Sequence, residues 1–270
     1  MKNLVLISAV VGMIFFAGCK KDGVYKPSQK ISKITYSVDN QYQEETWHWN
    51  KNQLQDINHG TWTETYTYEK GRLTRVDDKI NNNYSLFEYD GSKLSKITCY
   101  VGGVKVEEYN VKYDNKKMSE IEILYEEASL SIGKSNSKPL SVVCSPEIAQ
   151  IVEDNNNAFL EECQLQHKAM VRQTVTFEWD GKNISKIIST RGNTRTETSF
   201  TYDNKINPFY GFLDLYQSNT FLIKNKNNIK TATSTNTLIS YDYTYDGQYP
   251  ETISYESQGR KITQRIEYSK

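Results

Sequence analysis

The sequence predicts an all-β fold: an antiparallel meander of hairpin repeats forming a curved single sheet or partial barrel, with one short helical insertion. Three observations carry that expectation. A short unit recurs along most of the chain, reading aromatic-x-aromatic-acid, a polar break of two or three residues, then Leu-x-x-Ile. The composition suits sheets, with 20 tyrosines against 5 prolines. The breaks hold Asp-Gly, Asp-Asn or close relatives, which reach the left-handed conformations that tight hairpin turns need.

The chain opens Met1-Lys2-Asn3, turns apolar over residues 4–16 (LVLISAVVGMIFF), and then reads Ala17-Gly18-Cys19. A basic start, a short apolar run and a small-residue cleavage site are the parts of a secretory signal peptide. The run falls short of the roughly 20 residues needed to span a bilayer. FFAGC resembles a bacterial lipobox, which implies cleavage before Cys19 and lipidation of its thiol. Residues 1–18 are therefore expected to be a signal peptide. Residues 19–30, polar and carrying Gly23 and Pro27, read as a flexible tether, and 31–270 as the folded domain. The expected partner is a membrane, reached through the lipid, and the expected location is the outer membrane.

The clearest copies of the unit are WHWNKNQLQDI (47–57), YTYEKGRLTRV (66–76), FEYDGSKLSKI (87–97), VKYDNKKMSEI (111–121), FEWDGKNISKI (177–187) and YTYDGQYPETI (243–253). FTYDNKINPF (200–209) and IEY (266–268) are partial. Side chains alternate along a strand, so both aromatics of a unit share one face. Leu-x-x-Ile does not obey that rule, because residues three apart fall on opposite faces. Either a bulge follows each turn, or the leading apolar residue packs inside the turn. Recurrent bulges would curl the sheet toward a barrel.

Two stretches interrupt the period. In 126–170, Ser145-Pro146-Glu147 reads as a helix start, followed by Ile148, Ile151, Val152, Phe159 and Leu160 at helical spacing. In 206–230, Pro208, Phe209, Tyr210, Phe212, Leu213, Leu215 and Tyr216 are apolar enough to plug one end of a curled sheet.

The lipobox, the hairpin units, a YDNKxNPF element (202–209) and a late YDGxxYP element (245–250) together resemble Bacteroidales lipoproteins of unknown function. These are described as having a porin-like or partial-barrel fold. The unit itself resembles the tyrosine–aspartate repeats of RHS-type shell proteins. The resemblance implies a fold and an envelope location, and no reaction. A lipid-facing barrel needs an apolar outer band, whereas the face opposite the aromatics carries residues such as Thr63, Thr65 and Thr67.

Lys+Arg and Asp+Glu are both 33, so no net field favours nucleic acid. Once Cys19 is set aside, Cys99, Cys144 and Cys163 allow at most one disulfide, with Cys144 and Cys163 the expected pair. No Cys/His cluster points to zinc, no cofactor motif occurs, and His48, between Trp47 and Trp49, should face solvent. The recurring acids Glu69, Asp90, Asp114, Asp180, Asp203 and Asp246 are accounted for by turns, and no acid, base or nucleophile set converges. Lipidation at Cys19 is the single site residue assigned, with no catalytic or metal residue. The expected role is non-enzymatic binding or support at the envelope, with a glycan or a protein as ligand. Glycan capture for an outer-membrane uptake system is the first alternative and a hydrolase the second.

Overall fold

The computed structural model describes residues 21–38, 41–126, 170–213, 225–235, 237–257 and 259–269. The expected helix in 126–170, together with Cys144 and Cys163, lies outside them. Cys99 is buried and its sulfur accepts from the Ser85 hydroxyl (3.3 Å).

The seventeen strands of the described residues join one antiparallel sheet. In order they are β1 (Ile31–Val38), β2 (Gln41–Asn50), β3 (Gln53–Asn58), β4 (Thr63–Glu69), β5 (Arg72–Asp78), β6 (Asn83–Asp90) and β7 (Lys93–Val101). Then follow β8 (Val104–Asp114), β9 (Lys117–Glu126), β10 (Met170–Asp180), β11 (Asn183–Arg191) and β12 (Thr194–Ile206). Last come β13 (Asn227–Ser234), β14 (Thr237–Ser240), β15 (Asp242–Asp246), β16 (Tyr249–Ser257) and β17 (Arg260–Tyr268). β17 pairs back onto β1, so the meander is a nearly closed barrel. Its seam lies at Tyr241, where β14, paired with β13, gives way to β15, paired with β16.

The Leu-x-x-Ile puzzle resolves as a bulge. In the hairpin β2–β3, Trp49 faces Leu54 while His48 faces Asp56, so Gln55 is an extra residue. The same shift recurs in β4–β5, β6–β7, β8–β9, β10–β11, β12–β13 and β15–β16, always beside the second aromatic. The inserted residue changes the phase of the strand, so Leu54 and Ile57 both turn inward, as do Leu94 and Ile97. An eighth unit is split between the chain ends. Tyr268 of β17 faces Ile31 of β1, Glu267 faces Lys33, and Ser32 is the bulge of an Ile31-Ser-Lys-Ile34 segment.

The two faces of the barrel are opposite in chemistry. Inside lie Ile34, Trp47, Val76, Phe87, Ile97, Ile121, Ile184, Phe200 and their neighbours, in one contiguous apolar core. Outside, cross-strand ion pairs join Lys33 to Glu44 (2.7 Å), Lys96 to Glu88 (3.1 Å), Lys112 to Glu120 (2.6 Å) and Arg172 to Glu122 (3.0 Å). A membrane-spanning barrel carries its apolar band outside; this wall is charged where lipid would sit. No helix among the described residues is long and apolar enough to cross a membrane.

Candidate functional site

The hairpin turns that follow the second aromatics gather at one end, which we call the floor. Lys70-Gly71 and Asn115-Lys116 there have left-handed backbones at both turn positions, as two-residue hairpin turns prefer. Above the turns, five of the second aromatics reach back to a carbonyl of the preceding unit. Trp49 Nε1 donates to the Ile31 carbonyl (2.7 Å), Tyr89 to Leu73 (2.6 Å), Trp179 to Met118 (2.7 Å), Tyr202 to Ile184 (2.6 Å) and Tyr268 to Pro250 (2.8 Å). In the seventh unit the first aromatic, Tyr243, does this work toward Ile229 (2.6 Å). The bulge takes the leading apolar residue out of the regular ladder, and the aromatic tip satisfies its carbonyl. Burial pushes the phenols of Tyr89, Tyr202 and Tyr268 well above their ordinary range, so they remain donors.

A cation covers several of these rings. Lys30 lies over Trp49 (5.9 Å), Arg72 over Tyr89 (4.7 Å), Lys93 over Tyr113 (4.8 Å) and Lys117 over Trp179 (5.7 Å). Each is the residue immediately before its unit's leading apolar residue, so the recurring KL, RL, KM and KI pairs were a legible signal of this contact.

The bulges also free amide N–H groups at the floor, and chain from elsewhere meets them. The Leu73 N–H donates to the Gly23 carbonyl (2.9 Å), and the Leu94 N–H to Asp22 Oδ2 (3.1 Å). The same Asp22 oxygen accepts from the Tyr113 hydroxyl (2.7 Å), and the Ile184 N–H is met by Asn225 Oδ1 (2.7 Å). Gly23 has φ +75°, and a Cβ there would fall 2.0 Å from the Tyr89 hydroxyl, so no other residue fits without displacement. Tyr25 is buried, packs at a tilt against Trp49 (5.6 Å) and Phe212 (5.3 Å), and donates to the Pro208 carbonyl (2.7 Å). Part of the stretch expected as a loose tether is thus a strap bonded across the floor. Sequence composition missed it because the strap is held mainly by backbone groups and by one carboxylate.

Phe209 to Leu213 supply the plug expected from 206–230. Phe212 is 1% exposed and packs on Trp47 (5.0 Å) and Tyr66 (6.0 Å). Leu215 and Tyr216 lie outside the described residues. Beside the strap, a cavity of about 460 Å³ opens between it and the first two turns, lined by Lys26, Asn50, Lys51, Asn52, Gln53 and Tyr68 among others.

The far end of the barrel holds polar groups inside. His59 Nδ1 lies 2.8 Å from Glu45 Oε1, its Nε2 lies 3.7 Å from Glu64 Oε1, and the ring stacks on Trp62 at 4.0 Å. Tyr36 donates to Glu45 (3.2 Å) and Tyr66 to Glu64 (2.7 Å). Burial alone would lower the His59 pKa; its bonds to Glu45 and Glu64 outweigh that and raise it to about 9. Burial raises that of Glu45. Glu107, half-buried and with its pKa raised by desolvation, accepts from Tyr109 (2.6 Å). The His59 and Glu45 side chains are 2% and 1% exposed, so this cluster is closed to any substrate and acts as an internal charge network.

His48 is exposed and pairs with Asp56, as its position between two inward rings requires. Glu69, Asp90, Asp114, Asp180 and Asp246 are exposed at turns. Asp203 goes further, accepting from the N–H groups of Lys205 (2.9 Å) and Asn228 (3.2 Å). Cys19 and His167 lie outside the described residues. Among the described residues no three His, Cys, Asp or Glu side chains gather as metal ligands.

No protein-family profile and no curated protein matches the chain. Solved structures do. A porin-like protein from Bacteroides uniformis ATCC 8492 aligns with a TM-score of 0.53 at 10% identity, covering 88% of this chain and 98% of that one. A porin-like protein from Bacteroides vulgatus ATCC 8482 aligns with a TM-score of 0.53 at 8% identity, covering 89% and 99%. The likeness is one of fold. It spans nearly the whole of both chains, so the nearly closed barrel is the shared architecture.

Proposed function

We propose that this chain is a lipid-anchored cell-envelope protein with a non-catalytic binding or structural role. The strap carries the reading: the chain leaving Cys19 enters the barrel floor within three residues and is bonded there through Asp22 and Gly23. The lipobox-like FFAGC and the fold shared with porin-like Bacteroides proteins support the same location. The cluster richest in titratable groups is sealed inside, which favours a role without catalysis. The repeating rings point inward and bond to backbone, and Phe212 is core, so they offer no face for stacking a sugar.

Labelling with a radioactive fatty acid tests the anchor. The wild-type chain should take up label and fractionate with membranes, and Cys19→Ala should do neither. A Cys19→Ala protein that stays membrane-bound and never differed in label would overturn the anchor.

A further inference from the structure

We propose that the floor is a membrane-docking face that binds anionic lipid headgroups, a reading that extends the lipid-anchor proposal. Two observations carry it. The first is reach. Asp22 is fixed to the turn holding Ser92 and to Leu94, and Cys19 lies three residues earlier. Three residues of fully extended chain span about 11 Å at most. An acyl chain on Cys19 therefore cannot let the barrel drift away; the floor is held within about a Debye length of the headgroups at 0.1 M salt.

The second is charge. The whole chain is neutral, with 33 residues of each sign. Charge is nonetheless uneven along the barrel. The strap 21–30 and the turn windows 50–53, 69–72, 90–93, 114–117, 180–183, 203–206 and 246–249 hold eleven Lys and Arg against seven Asp and Glu. Two of those seven acids, Asp22 and Asp203, are turned to internal N–H and hydroxyl groups. With the same one-residue flanks, the described turns of the opposite end are 58–63, 78–83, 101–104, 191–194, 234–235, 237, 257 and 259–260. They hold three Lys and Arg, Lys79, Arg191 and Arg260, against one acid, Asp78, so the floor differs in carrying many more basic side chains.

The cavity of about 460 Å³ at the strap gives this face a seat of ligand size. Lys26 and Lys51 line it, together with Asn50, Asn52, Gln53 and Tyr68. Ammonium and amide donors around one opening suit the phosphate of a lipid headgroup. A lipid chain plus a basic patch is also the two-part arrangement that holds a protein stably on a bilayer.

The test uses the unacylated chain 20–270, which retains every strand and the whole strap. It is floated with phosphatidylcholine vesicles, with and without phosphatidylglycerol. The chain should float with the anionic vesicles at low salt, stay behind with the neutral ones, and release as salt rises. Lys26→Glu, Lys51→Glu and Lys116→Glu combined should weaken binding on the order of a hundredfold, from about fivefold per basic residue. Lys79→Glu with Lys261→Glu, at the far end, should bind like wild type. Absence of binding to anionic vesicles at low salt, or equal loss in the far-end variant, would overturn the docking face. Because no acyl group is present, that failure would leave the fatty-acid labelling of Cys19 as an independent result.

Discussion

The two ends of the barrel are built on different plans. At the floor one device is repeated: a bulge, an aromatic tip on the carbonyl it frees, and in several units a cation over the ring. At the far end the structure depends on individual side chains, with His59 held between Glu45 and Glu64, and Glu107 against Tyr109. Repetition spreads stability over many modest contacts. A singular residue concentrates it. Losing one floor unit should therefore cost little, whereas losing a residue without copies should cost much.

The largest effect is expected at the plug, the floor's own unrepeated part. Phe212→Ala removes a fully buried ring from among Tyr25, Trp47 and Tyr66. It should lower unfolding free energy by about 3–5 kcal/mol in urea titrations. Next comes pH at the far end. The raised His59 pKa means that its stabilisation is complete below the ordinary value of 6.5 and is lost as pH rises through about 9. The shift corresponds to roughly 3 kcal/mol between those limits. Urea midpoints should fall across that window in the wild type, and the slope should vanish in His59→Gln.

Asp22→Ala should cost about 1–3 kcal/mol, because it strips the Leu94 N–H and the Tyr113 hydroxyl of their acceptor. Limited proteolysis should then cut the strap first. Tyr202→Phe removes one floor lock and keeps the ring, for about 1 kcal/mol. Lys112→Ala on the outer wall should move the midpoint least, because its ion pair with Glu120 is exposed to solvent. If Tyr202→Phe proved as damaging as Phe212→Ala, the floor would not share its load among units.

How far this was legible in the sequence follows from the range of each interaction. The hairpins and the aromatics sharing one face rest on neighbours in sequence, and the pattern shows them. For Leu-x-x-Ile the pattern allowed two answers, and the strand register chose the bulge. The eighth unit does not show itself. Ile31-Ser-Lys-Ile34 has no aromatic pair before it, because its partner Tyr268 lies at the other end of the chain. The docking of Asp22 escaped for a similar reason: its contacts are 72 and 91 residues away. His59 carried no spacing signal toward Glu45 and Glu64, since three different strands or loops bring them together only after the sheet forms.

The divided eighth unit bears on how the molecule is made. Among the described strands β1 is synthesised first and its partner β17 last, so the sheet remains an open ribbon until β17 appears. Both margins of that ribbon offer unpaired backbone, the template on which chains aggregate. Ring closure across the full length is also the slowest kind of contact to form. Linking the present ends and opening the chain at the turn 181–182 would turn this division into an ordinary hairpin. The folding rate of such a permutant would report how much of the kinetic barrier is the wait for the last strand.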